Sequence, residues 1–122
     1  MKKVVGVLLV ILGVACSKNE DKAEAYLSQE EKIESCIAHK IEEVLAGDPQ
    51  NPRTEIWLWK SSAELYYYVN APCCDQFSVL FNEDCAVVCA PDGGFSGNGD
   101  GACPEFAADL SRILVWKDIR IK

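Results

Sequence analysis

The chain has 122 residues, 49% of them hydrophobic, with seven cysteines and a formal net charge of −7. That length holds one ordinary domain. The acidic balance excludes nucleic acid and anionic membrane surfaces as electrostatic partners, since both require clustered Lys and Arg.

Lys2 and Lys3 precede an uncharged, almost wholly apolar run over residues 4–15. Twelve residues are too few for a helix spanning roughly 30 Å of hydrocarbon, but they suit the core of a signal peptide, with small Ala15 at the cleavage position. Gly13-Val14-Ala15-Cys16 resembles the lipobox of bacterial lipoproteins, although Gly13 stands where Leu is usual. The expectation is therefore a signal peptide over residues 1–15 and diacylation of Cys16, with membrane contact made by the acyl chains alone. Without Lys2 and Lys3, ten basic residues face nineteen acidic ones, about −9 for the mature chain. Residues 16–25 read as the lipidated Cys and a polar tether, reaching at most ~30 Å. Such an anchor implies the bacterial cell envelope, at the outer membrane, facing the periplasm or the surface.

Residues 26–122 read as one domain. Ser28 to Glu31 forms a capping box, and Ile33, Ile37, Ile41 and Val44 recur at helical spacing until Gly47-Asp48-Pro49, predicting a helix over 29–46. The period then changes to two. Residues 55–60 and 65–70 read as strands joined by a polar turn at 61–64, and 76–81 and 85–90 as a second hairpin around Asn82-Glu83-Asp84. A glycine-rich loop spans 91–101, a short helical turn is expected over 105–110, and Ile113, Val115, Ile119 and Ile121 alternate as a final strand. One helix followed by hairpins predicts an α+β domain, the helix on one face of a small antiparallel sheet.

With Cys16 assigned to lipid, Cys36, Cys73, Cys74, Cys85, Cys89 and Cys103 form an even set, expected to make three disulfides in an oxidising compartment. Six cysteines allow 15 connectivities. A bridge between the neighbours Cys73 and Cys74 is set aside as sterically poor. Cys85 and Cys89 are read on one strand, about 13 Å apart. In every remaining connectivity Cys73 and Cys74 take different partners, and Cys36 is expected to reach a cysteine of the sheet.

The segments Cys73-Cys74-Asp75-Gln76-Phe77, Cys89-Ala90-Pro91-Asp92-Gly93-Gly94 and Gly99-Asp100-Gly101-Ala102-Cys103-Pro104 together resemble a family of small bacterial exported domains, many of them lipoproteins, classed as a domain of unknown function. The resemblance carries no activity. It implies a cysteine-bonded hairpin capped by a glycine-rich loop, with Cys36 and Cys85 outside its motif.

Three constellations are candidates for function. Cys36 and His39 have the spacing Cys-x-x-His, but exported thiols are normally oxidised, so a zinc site is disfavoured and His39 reads as a solvated helix residue. Ser96-x-Asn98-x-Asp100-Gly101 imitates the start of an EF-hand, yet the twelfth position is Ala107 rather than a bidentate Glu. Asp92, Asn98 and Asp100 remain the candidates for a looser calcium site, against the favoured reading of a turn stabilised by its own side chains. The third is the first hairpin, which sets Trp59 opposite Tyr66 and Trp57 opposite Tyr68 on one face, with Ile56, Leu58, Tyr67 and Val69 on the other. The aliphatic face suits the helix. The four aromatics are then either covered by the loop and C-terminal segment, which is favoured, or open as a platform for a protein or glycan. A single His and the lack of any Gly-x-Ser-x-Gly segment argue against an enzyme. The reading is a lipid-anchored binding module, with a calcium-stabilised structural domain and an unrecognised enzyme as alternatives.

Overall fold

A computed structural model describes residues 29–121. Cys16, the expected signal peptide and tether, and the cap Ser28 lie outside the described residues. The helix α1 runs over 29–46. It is followed by β1 (Glu55–Lys60), β2 (Leu65–Val69), β3 (Val79–Phe81), β4 (Val87–Cys89) and β5 (Ser111–Lys117). The strands form one antiparallel sheet in the order β4-β3-β2-β1-β5. The fold is α+β, and no described helix is long and apolar enough to cross a membrane.

The side-chain period decides which faces meet. Ile33 and Cys36, one helical turn apart, are buried against Ile56 of β1 and Tyr67 of β2, with Ile37, Ile41, Leu58 and Val69 around them. Each apolar stripe covers the other, and Tyr67 stacks on Phe81 at 4.8 Å. The first hairpin takes the register expected from its turn, Trp57 opposite Tyr68 and Trp59 opposite Tyr66. Ser61 holds that turn, its Oγ accepting from the amides of Ala63 and Glu64.

The end of α1 is closed from far along the chain. The Arg120 guanidinium donates to the carbonyls of Val44, Leu45 and Gly47, at 2.9–3.3 Å, so a cation meets the negative end of the helix dipole. Asp118, buried at 1% exposure, orients it by accepting from Nε and Nη2. This clamp corrects the final strand. Pairing with β1 stops at Lys117, and the chain turns so that Arg120, held by Asp118, reaches α1, leaving Ile119 and Ile121 exposed. The second hairpin is also shorter than expected. Asn82 spends its side chain on the amides of Asp84 and Ala86, and Cys85 lies in the left-handed region at φ 62°, so its turn takes residues that alternation alone assigns to a strand. The helical turn expected over 105–110 is one turn closed by Leu110 N–H donating to Ala107 O.

The disulfides are Cys36–Cys85, Cys73–Cys74 and Cys89–Cys103. Cys36 reaches the turn of the second hairpin, 49 residues away, rather than a strand. The Cys73–Cys74 bridge overturns the expectation that these neighbours take different partners. That expectation assumed extended backbone, in which successive side chains point to opposite faces. These residues instead lie in a tight turn between β2 and β3, with Cys74 left-handed at φ 58° and the Cα atoms 3.7 Å apart. Gln76 N–H donates to Cys73 O across this turn.

Candidate functional site

The face of the sheet opposite α1 carries the four aromatics, which divide into two groups. Trp59 is only 6% exposed. It stacks on Tyr68 at 5.3 Å, meets Phe106 edge-on at 5.5 Å, and lies under the Arg112 guanidinium at 4.5 Å. Phe106 also meets Tyr66 edge-on. Phe106 reaches this position because its segment is tethered at several points. Cys103 is bonded to Cys89 of β4, Ala107 N–H donates to Glu64, and Ser62 N–H donates to Asp109. Glu64 also accepts from the Tyr66 hydroxyl. Burial and this carboxylate push the Tyr66 phenol above its ordinary range.

Trp57 and Tyr68 remain half-buried at the edge of that cover. They line an open groove of about 630 Å³ with Trp59, Pro91, Phe106 and the charged groups of Glu55, Asp92 and Arg112. The Trp57 indole N–H donates to Glu55 at 3.0 Å, and Glu55 pairs with Lys117 at 3.5 Å. The Tyr68 hydroxyl donates to both oxygens of Asp92, at 2.8 and 3.0 Å. Burial first, and then that carboxylate, raise the Tyr68 phenol to about 12, so it stays a neutral donor at any physiological pH. Asp92 is itself placed by fully buried Ser78, whose Oγ and N–H both donate to Asp92 O. The groove thus presents aromatic rings, Trp57 and Tyr68 the more open of them, between carboxylates and one guanidinium. Such a surface suits a polar, ring-shaped ligand whose hydroxyls bridge the charged groups.

The match to Domain of unknown function (DUF6970) spans residues 42–118. This chain belongs to that family. Every strand and the whole groove fall within the matched span, whereas Cys36, which bonds to Cys85 inside it, does not. No curated protein and no solved structure matches the chain.

Asp92 turns to Tyr68, and Asp100 accepts from the amide of Ala102. Asn98 N–H donates to Ser96 Oγ, and among the described residues no group of three or more His, Cys, Asp or Glu side chains is arranged around a common cation position. Cys36 is bonded to Cys85, which removes it from any Cys-x-x-His set, and His39 is exposed on α1. Sequence reasoning found Trp57 and Tyr68 through the hairpin register but missed Glu55, Glu64 and Arg112. Glu55 carries a legible signal, two residues before Trp57 on the same strand face. Arg112 carries none, because only the pairing of β5 with β1 puts it opposite Trp59.

Proposed function

We propose that this chain is an exported, lipid-anchored binding module of the bacterial cell envelope that holds a glycan in the groove between Trp57 and Asp92. The observation that carries the reading is the division of the aromatic face. Tyr66 packs against Phe106 and Trp59 is almost wholly buried at the groove floor, while half-buried Trp57 and Tyr68 line the open groove with Glu55, Asp92 and Arg112. Sugar rings offer apolar faces for an indole to stack on and hydroxyls for carboxylates to accept from. The absence of a paired acid and base from the motifs favours binding over catalysis. The bacterial origin is supported by the lipobox-like Gly13-Val14-Ala15-Cys16 and by the Cys73-Cys74-Asp75-Gln76-Phe77 motif.

Titration of soluble cell-wall and capsular oligosaccharides, followed by tryptophan fluorescence and calorimetry, tests the ligand class. Trp57→Ala should weaken binding at least roughly tenfold, the loss of about 1.4 kcal/mol of stacking. Binding left intact by Trp57→Ala and by Asp92→Asn would move the ligand elsewhere, and binding to envelope proteins but to no oligosaccharide would replace glycan with protein. The anchor has a separate test, in which Cys16→Ser should transfer the protein from the membrane to the soluble fraction.

A further inference from the structure

The three disulfides stand in unlike surroundings. Cys36–Cys85 ties α1 to the turn of the second hairpin, and Cys89–Cys103 ties the aromatic cover to β4. Cys73–Cys74 joins residues already joined by a peptide bond, so it restrains no long segment and contributes least to the chain-entropy effect by which disulfides stabilise a fold. Its place in the fold is an exposed connection between β2 and β3. Cys74 is exposed and Cys73 half-buried, whereas Cys36 and Cys89 are 4% and 2% exposed.

Exposure separates the bridges chemically. A disulfide is broken by a thiolate that attacks one sulfur and expels the other as a thiolate, and the reaction slows as the leaving thiol becomes more basic. Attack on exposed Cys85 would expel Cys36 into the apolar contact with Ile33 and Ile56, where burial raises a thiol's pKa. Attack on Cys103 would likewise expel Cys89 into the cluster around Trp59 and Leu80. Attack on Cys74 expels Cys73 at the surface, where water solvates the departing charge.

We propose that Cys73–Cys74 is a thiol–disulfide exchange site whose substrate is an external dithiol. A thiolate of the dithiol attacks Cys74 Sγ, the Cys73–Cys74 bond breaks, and Cys73 leaves as a thiolate that takes a proton from water. The second thiol of the dithiol, having given its proton to water, attacks the sulfur of its own mixed disulfide and releases Cys74, which is protonated in turn. The protein disulfide gains two electrons and two protons, and the dithiol is oxidised to a disulfide. A monothiol is disfavoured because the adjacent Cys73 thiol re-attacks its mixed disulfide before a second molecule arrives. Beside the bridge, Pro72 and Phe77 form one side of a second groove of about 260 Å³, reaching Lys40 and Phe81, which offers a seat for an apolar side chain next to the attacking thiol.

The test is stepwise reduction of the folded, full-length protein by dithiothreitol at neutral pH, with alkylation at intervals, peptide mapping and near-ultraviolet circular dichroism. Cys73 and Cys74 should be labelled at least roughly tenfold faster than the other four cysteines of the domain, with the native signal retained. Glutathione at equal thiol concentration should give at least about tenfold less of the reduced pair. Cys73→Ser/Cys74→Ser should remain folded and lose the fast-labelling pair. Labelling of Cys36, Cys85, Cys89 or Cys103 first or at the same rate overturns the assignment. Loss of the native signal with the first two thiols does so too, and equal reduction by glutathione overturns the substrate class.

Discussion

Replacing Cys36 and Cys85 together by alanine should be the most damaging removal of a disulfide from this domain. The bridge closes a separation of 49 residues, against 14 for Cys89–Cys103. In the chain-entropy treatment these loops correspond to about 4 and about 3 kcal/mol respectively. The first lies near the lower end of the 5–15 kcal/mol that ordinary domains possess. Removal also loosens α1, which is then held by the stripe of Ile33, Ile37 and Ile41, the Glu30–Lys60 pair and the Arg120 clamp at its end, and leaves a small void where buried Cys36 Sγ stood. In a domain of this size about 4 kcal/mol corresponds to a fall in Tm of roughly 15–30 °C. Equilibrium urea unfolding of the purified domain, followed by far-ultraviolet circular dichroism, gives the free energy and the slope together. The expected order of loss is Cys36/Cys85, then Cys89/Cys103, then Cys73/Cys74. A Cys36→Ala/Cys85→Ala loss below about 1 kcal/mol with an unchanged slope would refute the argument, because a stapled helix cannot be indifferent to its staple unless the reduced chain is equally restrained.

Trp59→Ala should cost about 3–5 kcal/mol in the same assay, since it empties the space between Tyr68, Phe106 and Arg112, while half-exposed Trp57→Ala should cost about 1 kcal/mol. Gly99→Ala should destabilise more than Gly97→Ala by thermal melting. Both residues have positive φ, but a methyl at Gly99 strikes the carbonyl of Ala90, whereas one at Gly97 meets open space. The hydrogen bond from Arg120 holds Asp118 down at about 2, against an ordinary 3.8. The stability this contributes is fully present above about pH 4 and is lost as pH falls from there through about 2. Asp118→Asn should therefore flatten that limb of a Tm-against-pH profile. At the alkaline end the sign is opposite. The raised Tyr68 phenol contributes stability that is present below pH 10 and lost as pH rises through about 12, so Tyr68→Phe should flatten the profile there.

The helix and the first hairpin were legible in the sequence because their determinants are local. The Ile33/Ile37/Ile41 stripe sets both the helix and its buried face, and a short turn at Ser61 to Glu64 permits one register, with Trp57 and Trp59 on the face away from Ile56 and Leu58. From these alone follow an α+β domain and an aromatic sheet face. Three features depended on the tertiary structure. Alternation extends the last strand through Ile121, but the fit of Arg120, oriented by Asp118, to the open carbonyls of α1 ends it at Lys117. Spacing forbids a Cys73–Cys74 bridge in extended chain, but the left-handed turn at Cys74 makes it. Nothing local to Trp57 or Trp59 says which is covered. That is decided by Phe106, about 50 residues further along and brought over the sheet by Cys103 and Glu64. A periodic pattern reports the direction in which a side chain points relative to its own strand or helix. What it meets there depends on where distant segments are tied down, and that is a property of the folded chain as a whole.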